Sequence, residues 1–290
     1  MLRFAAIIAD GVLLGLVYAI AALGLSLIMG IMGVVNVAHS AFVMLGSFFA
    51  FELFRRLGID PIGSFFISLP LFFAVGAIVY RVLVARVERA QQTQGLVAMF
   101  GLMVLIENLG TIAWTTDTRL ITAPYTNTSF ILGPLILANV KLIAGALALL
   151  LISAFWLFLR FTLIGRGIRA MGQNRDAAIS LGINVRALAT IMFGLGIACA
   201  GAAGVALAMI YPFSPNTQVQ WLAWAFLVVI LGGLGGVGST LAAGIVVGLI
   251  QMLAAAFLPF DYVYLILYVA LAAILVVRRE GLSGAMRRAI

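Results

Sequence analysis

The chain has 290 residues, of which 65% are hydrophobic and only 9% are charged. A soluble globular domain carries roughly a quarter of its residues as charges, so most of the surface of this chain must face lipid rather than water. The net charge of +8 comes from basic residues in short loops between apolar segments, a pattern typical of membrane topology signals that argues against nucleic-acid binding.

The apolar segments predict membrane-spanning helices. A bilayer core requires about 20 apolar residues per helix, and this criterion predicts nine spans: 11–29, 37–54, 61–80, 95–114, 140–159, 188–211, 221–237, 240–257 and 262–277. The second and seventh have glycine at or near one end, so they are either full spans or half-helices that re-enter the membrane. The sequence therefore predicts an all-α, polytopic transmembrane helical bundle of about 8–9 spans, forming a single domain over residues 1–290.

The distribution of arginine predicts the orientation. Twelve of the 17 basic residues fall in three segments that share one side of the membrane if there are nine spans: 81–94, 160–187 and 278–290. The positive-inside rule places that side in the cytoplasm, with the C-terminus inside and the N-terminus outside. The two long polar segments then become a periplasmic loop at 115–139 and a cytoplasmic segment at 160–187. Arg55 and Arg56 oppose this orientation, although Glu52 is spaced to pair with Arg56.

Small residues recur at helical spacing within the spans. They form three sets: Gly11 and Gly15; Gly196, Ala200, Gly204 and Ala208; Gly244 and Gly248. This spacing lets helix backbones approach closely in lipid, either within one bundle or at a contact between subunits. In addition, Leu25–Gly33 and Val228–Gly236 each run from an apolar span into a glycine-rich break. Paired interrupted helices of this kind indicate a transport pathway between structural repeats.

The motifs that are missing exclude several kinds of chemistry. Lys141 is preceded by Val140 rather than glycine, so there is no phosphate-binding P-loop. His39 is the sole histidine and Cys199 is the sole cysteine. We expect the Cys199 thiol to be buried and inert. The sequence therefore predicts no metal site, no cofactor and no enzyme activity in this chain.

The segment Gly165–Asn184 carries a recognisable pattern. It contains Asp176-Ala177-Ala178, three further residues and then Gly182, which resembles the Glu-Ala-Ala-x-x-x-Gly loop of ABC importer permeases with Asp in place of Glu. The resemblance implies a short helix that lies in a groove on an ATPase subunit and transmits its closure to the spans.

The residue types of this segment agree with such a contact. The alanine pair offers a small, smooth surface, and Gly182 suits a helix stop. Three arginines are expected to be free to contact acidic groups of a partner: Arg166, Arg169 and Arg175. The alternative is an ordinary basic loop with a surface helix.

Two further segments carry the resemblance across nearly the whole chain. The segment Gly24–Ser40 is similar to the first hairpin of branched-chain amino-acid permeases, except that Val37, Ser40 and Ala41 replace the usual Phe, Gly and often acidic residue. The segment Leu231–Gly244 also matches the family pattern. The chain thus resembles the smaller of the two homologous permeases of the branched-chain amino-acid ABC importer family.

Seven residues are candidates for the substrate pathway: Asn36, His39, Glu107, Asn108, Gly232, Gly233 and Gly235. Asn36 and His39 either line the pathway or cap the second span. Glu107 lies twelve residues into the fourth span, where a carboxylate is costly and is a functional candidate by default. It is alternatively protonated or paired with a partner subunit, and the family often has Gln at its position.

The resemblance implies half of a transmembrane pore that works by alternating access in the bacterial inner membrane. Its expected partners are a second homologous permease, two cytoplasmic ATPase subunits and a periplasmic substrate-binding protein. The implied cargo is a branched-chain amino acid, or a related small amino acid, amide or urea. Three alternatives remain: a sugar permease of the same superfamily, a stand-alone secondary transporter, and a membrane-anchor subunit of an enzyme complex.

Overall fold

A computed structural model describes residues 2–87, 92–132 and 135–259, together with the single positions 262, 265, 266, 268, 269, 272 and 273. The side chains of residues 2, 3, 92, 93, 132 and 135 are not among those described. The predicted ninth span, 262–277, therefore lies outside the described residues except at those single positions. The same is true of Arg89 and of the four arginines that follow residue 277.

Helices account for nearly all of the described secondary structure. They are α1 (Leu2–Leu27), α2 (His39–Leu57), α3 (Pro61–Val79), α4 (Ala85–Val87), α5 (Gln92–Trp114), α6 (Asn139–Phe161), α7 (Leu163–Gln173), α8 (Arg175–Ser180), α9 (Val185–Ile210), α10 (Gln218–Gly232) and α11 (Val237–Phe257). Turns of π-helix extend α1 over Ile28–Met32 and join α3 to α4 over Tyr80–Val84, and a 3₁₀ turn, Pro215–Thr217, precedes α10.

The loop predicted at 115–139 contains a small β-hairpin. Strands β1 (Ser129–Leu132) and β2 (Leu135–Ala138) pair antiparallel, with Ser129 opposite Ala138. The half-buried Tyr125 donates a hydrogen bond of 2.9 Å from its hydroxyl to Asp60 Oδ1, which ties this loop to the start of α3. Burial and the neighbouring Asp60 carboxylate raise the pKa of the Tyr125 phenol, so that it remains a donor.

Six helices in the described part of the chain are long and apolar enough to cross a membrane. They correspond to α1, α3 with its extension, α5, α6, α9 and α11. The prediction of an all-α, polytopic membrane protein is confirmed. The two spans predicted to be either full spans or half-helices are α2 and α10, and neither is among the six.

The core is built around α1 and α9, which are the most buried of the six. Helix α11 packs antiparallel along α1, because Gly11 meets Gly248 and Gly15 meets Gly244. Helix α3 packs antiparallel along α9, because Gly201 meets Phe72 and Gly76 meets Ile197, and the ring of Tyr80 just after α3 is tilted against that of Phe193. These two long contacts hold the remaining helices in place.

The small residues predicted to mediate close packing do so within this bundle. The Gly11 pair faces the Gly244 pair directly, and a Cβ on Gly15 would lie 2.6 Å from the Gly244 carbonyl oxygen. On α9, a Cβ on Gly204 would overlap the carbonyl oxygen of Val43. The interpretation of these sets as packing within one bundle is therefore supported by direct contacts.

Helix α2 packs against α9, α10 and α3. Its first residue, His39, places Nε2 at 2.8 Å from the Ala21 carbonyl oxygen, in the second half of α1. At the centre of α2, Phe48 stacks on Trp114, which ends α5. The predicted pairing of Glu52 with Arg56 is confirmed, and Glu52 also accepts hydrogen bonds from Arg55 and Trp114.

The contact of α2 with α9 provides a stability prediction. Gly204→Ala would force Val43 and Ser47 away from α9 and would disturb the 2.7 Å hydrogen bond from Ser47 Oγ to the Gly204 carbonyl oxygen. We expect the free energy of unfolding in detergent to fall by about 1–3 kcal/mol. Gly101→Ala is the matched control, because a Cβ on Gly101 meets no described atom within 4 Å. Equal stability of the two variants would contradict this packing.

Candidate transport and coupling sites

Both glycine-rich breaks are real interruptions of helices. After α1 and its π turn, Gly33 adopts a left-handed φ of 69° and the chain does not resume a helix until His39. Between α10 and α11, Gly233 and Gly235 have φ values of 76° and 83°. Residues with side chains rarely adopt this conformation, so glycine is what permits the chain to leave each helix here.

The structure brings the two breaks into contact. A Cβ on Gly30 would overlap the backbone nitrogen of Gly235. The Gly235 N–H donates to the Ser26 carbonyl oxygen at 3.1 Å, and Ser26 Oγ donates to the Gly233 carbonyl oxygen at 3.4 Å. Thr240 Oγ1 lies 3.1 Å from Ser26 Oγ. The two interrupted helices thus meet at a point where Ser26 and Thr240 are buried and Gly30 is exposed, and paired interrupted helices indicate a transport pathway between structural repeats.

Sequence reasoning missed the residues that join these breaks. Ser26 and Thr240 are fully buried, and neither belongs to the predicted pathway. The available signal was a hydroxyl residue inside an otherwise apolar span, which usually has a hydrogen-bonding role when lipid surrounds the helix. Of the predicted pathway glycines, Gly232 and Gly233 are buried at this junction and Gly235 is half-buried.

Asn36, His39 and Ser40 form a second buried polar group next to the first break. All three are inaccessible to solvent. Because the Ala21 carbonyl can only accept, His39 Nε2 carries the proton and leaves Nδ1 as an acceptor when the ring is neutral. Neither His39 Nδ1, the Ser40 hydroxyl nor the Asn36 amide has a hydrogen-bond partner among the described residues. Unsatisfied buried groups of this kind are costly and rare.

The alternative that Asn36 caps α2 is not supported by the structure. The residue before α2 is Ala38, and no side chain caps the helix. Asn36 lies two residues too early for its amide to reach the free N–H groups of the first turn. His39 is itself the first residue of the helix.

Glu107 and Asn108 lie on α5, the least buried of the six candidate spans. Glu107 is half-buried and makes no hydrogen bond or ion pair to the described residues. Asn108 is exposed and donates to the Val104 carbonyl oxygen of its own helix at 2.8 Å. The described contacts therefore do not link these two residues to the glycine breaks.

The segment predicted at 160–187 folds into two surface helices with defined ends. Thr162 caps α7 by accepting from the Gly165 N–H at 2.9 Å, and Asn174 caps α8 by accepting from the Ala177 N–H at 2.9 Å. Gly182 has a φ of 79° and stops α8 as predicted. The Ile183 N–H bonds back to the Ala178 carbonyl oxygen at 3.0 Å, which completes a Schellman motif.

The side chains of this segment are presented differently from the prediction. Ala177 and Asp176 are exposed, but Ala178 is buried, because adjacent helical residues point about 100° apart. Arg169 is not free, since its Nη1 donates to the Leu159 carbonyl oxygen at 2.7 Å. Arg166 is exposed and Arg175 is half-buried and in contact with other groups of the protein.

Two large apolar side chains are exposed on α8 and at the residue that follows it. Ile179 is 54% exposed and Leu181 is 80% exposed. Exposed large apolar side chains on a short surface helix mark a contact surface for a protein or a membrane. The family loop pattern covers the alanines and the glycine of this segment and does not include these two side chains.

Interrupted helices that meet within a bundle of candidate membrane spans are typical of the membrane subunits of transporters. The chain belongs to the family described as branched-chain amino acid transport system, permease component, whose model matches residues 7–275. It is a permease subunit of an ABC transport system, not itself an enzyme.

Several characterised proteins are similar to this chain. The high-affinity branched-chain amino acid transport system permease protein LivH of Salmonella typhimurium is 27% identical, covering 95% of this chain and 94% of that protein. The corresponding protein BraD of Pseudomonas aeruginosa is 24% identical with the same coverage. The galactofuranose transporter permease protein YtfT of Escherichia coli is 35% identical over only 103 residues. No solved structure matches this chain.

The unpaired Glu107 provides a test of its role in transport. Gln has nearly the same shape and cannot ionise, so Glu107→Gln should retain uptake within about threefold if the residue acts by packing and hydrogen bonding. Uptake by the assembled transporter in vesicles is the measurement, with Asn108→Asp as a control for a new charge on the same helix. A loss above about tenfold with normal assembly, roughly 1.4 kcal/mol, would show that the carboxylate must ionise.

Proposed function

We propose that this chain forms half of the membrane path of an ATP-driven importer for branched-chain amino acids or closely related small amino acids, amides or urea. The observation that carries the proposal is the family match over residues 7–275, together with two relatives named for this transport that align over 95% of the chain. The other half is a second, homologous permease. Two ATPase subunits bind one face, and a periplasmic substrate-binding protein binds the other.

The proposed orientation places α7 and α8 in the cytoplasm of a bacterial cell, with the permease in the inner membrane. Arg166, Arg169 and Arg175 lie on this segment, in agreement with the positive-inside rule. The N-terminus is then periplasmic and the C-terminus cytoplasmic. We count eight or nine membrane segments, in which α2 and α10 join the six candidate spans as full or partial crossings.

The substrate path is proposed to run along the meeting point of the two breaks. Asn36 and His39 carry buried hydrogen-bonding atoms without partners there, and a polar cargo or water would satisfy them. Gly232, Gly233 and Gly235 allow the two helices to approach and to change their angle. Glu107 and Asn108 lie on α5, whose open faces fit a second permease, and they would face the path from that side once the two permeases pair.

The coupling contact is proposed to consist of α8 and the end of α7. Asp176 and Ala177 present a small exposed surface, and Ile179 and Leu181 add apolar area for a groove on the ATPase. Arg166 and Arg175 lie on the same segment, and Gly182 fixes its end. The segment is anchored to the bundle by the buried side chain of Ala178 and by the hydrogen bond from Arg169 to the Leu159 carbonyl oxygen. Movement of the ATPase would thus be transmitted to the end of α6 and to α9.

A sugar permease of the same superfamily is the second candidate. One observation favours it: the local match to the galactofuranose permease, which covers 35% of this chain. The full-length matches outweigh it, because they include both breaks and the coupling segment.

The cargo is tested by uptake and ATP hydrolysis in vesicles that contain the assembled transporter and its binding protein. We expect leucine, isoleucine or valine to stimulate both activities and galactose or galactofuranose to leave them unchanged. Sugar-specific stimulation would identify the second candidate instead. Uptake that is driven by an ion gradient and persists without the ATPase subunits would contradict an ABC importer.

The coupling contact is tested by Ala177→Asp, with Ala177→Ser as the matched small, uncharged control. A carboxylate at Ala177 must lose its hydration in the groove without a partner, whereas its exposure in the permease alone leaves folding unaffected. We expect capture of the ATPase and transport to fall by roughly tenfold or more, with normal pairing of the permeases. Normal ATPase capture and uptake by Ala177→Asp would exclude α8 as the coupling contact.

A further inference from the structure

A cavity of about 480 Å³ opens between the end of α3 and the start of α9. Tyr80, Arg81 and Arg86 line one side, and Asn184 and Arg186 line the other; Ala85, Ala187 and Thr190 complete the wall. All of these residues lie at the end of the bundle that carries α7 and α8, because only a short turn separates the end of α8 from the start of α9. No acidic residue is among the described residues that line the cavity.

The three arginines of the cavity lack the partners that other arginines have. Arg81, Arg86 and Arg186 are exposed and make no hydrogen bond or ion pair to the described residues. By contrast, five other arginines each contact a carboxylate, an aromatic ring or a carbonyl oxygen: Arg55, Arg56, Arg119, Arg160 and Arg169. Three unpaired guanidinium groups around one concave site create a strong positive potential and favour an anionic occupant.

The surroundings of the cavity are those of a lipid boundary. Ile78 is 61% exposed and Val82 is 55% exposed, one helical turn apart on the α3 side of the cavity. They form an apolar strip that leads from the membrane span to the arginines. A ligand that combines an anionic head with long apolar chains matches both features.

We propose that this cavity binds the phosphate headgroup of an anionic phospholipid, with its acyl chains along Ile78 and Val82. Guanidinium groups bind phosphate oxygens in a bidentate manner. Basic pockets between membrane helices at the cytoplasmic surface are suited to anionic lipid headgroups, and this location rests on the orientation proposed above. The binding itself requires neither ATP nor cargo.

The site adjoins α8. A second cavity of about 240 Å³ shares Tyr80, Asn184 and Arg186 with the first and extends to Arg175 and Ile179. The lipid site therefore lies beside α8 and adjoins the proposed coupling contact at Ile179.

The test is lipid binding to the full-length permease, purified with the subunits that accompany it and stripped of native lipid. Phosphatidylglycerol and phosphatidylcholine are titrated separately, and binding is followed by native mass spectrometry and thermal stability. We expect phosphatidylglycerol to bind roughly tenfold more tightly or better. Arg81→Gln/Arg186→Gln should remove this preference, and Arg81→Lys/Arg186→Lys should retain part of it. Arg160→Gln/Arg166→Gln is the control, because it removes two exposed charges that do not line the cavity.

Each contrary result overturns the proposal. Equal binding of phosphatidylglycerol and phosphatidylcholine by the unaltered protein would exclude a headgroup site. This comparison needs no variant. Equal stabilisation by inorganic phosphate at the same concentration would identify a free anion as the occupant. If Arg81→Gln/Arg186→Gln loses the ATPase but keeps its preference for phosphatidylglycerol, the arginines are an ATPase contact. Failure of the cargo test would leave these lipid measurements unaffected.

Discussion

The bundle depends on the contact of helix backbones through glycine. Where Gly15 meets Gly244, and where Gly204 meets the Val43 carbonyl, a single methyl group would overlap backbone atoms. Lipid offers no hydrophobic force to press helices together, so stability comes from close packing and from hydrogen bonds that short distances permit. The Ser47 bond to the Gly204 carbonyl forms only because α2 approaches α9 so closely. The positions of the interrupted helices follow from these contacts.

The two breaks are held together by close packing and by hydrogen bonds. Gly30 and Gly235 touch, and Ser26 satisfies backbone groups that the interruption of α10 would otherwise leave free. A hydrogen bond between neutral groups of two membrane helices contributes on average only about 0.6 kcal/mol to stability. Such a junction can hold one arrangement of the helices without making another prohibitively costly. That balance is suitable for a permease that alternates between two states.

The capped helices at the end of the bundle are held differently from the spans. Side-chain caps, the Schellman motif at Gly182 and the bond from Arg169 to the end of α6 give this segment a defined shape outside the apolar core. Its apolar side chains are divided between a face that packs inward and a face, Ile179 and Leu181, that remains open. A segment of defined shape with an open face fits the proposed contact with an ATPase, because its attachment to the end of α6 and its short link to α9 connect that contact to the spans.

The sequence by itself determined the membrane environment, the helical class, most of the helix positions and the two interruptions, because these depend on local composition, length and glycine. It also predicted the stop at Gly182 and the pairing of Glu52. Only the tertiary structure decided which glycines touch, that Asn36 leaves α2 uncapped, that Ala178 and Arg169 face the bundle, and that three distant arginines surround one cavity. Contacts between residues far apart in the chain depend on how the helices pack, and periodicity along one helix carries no information about its neighbours.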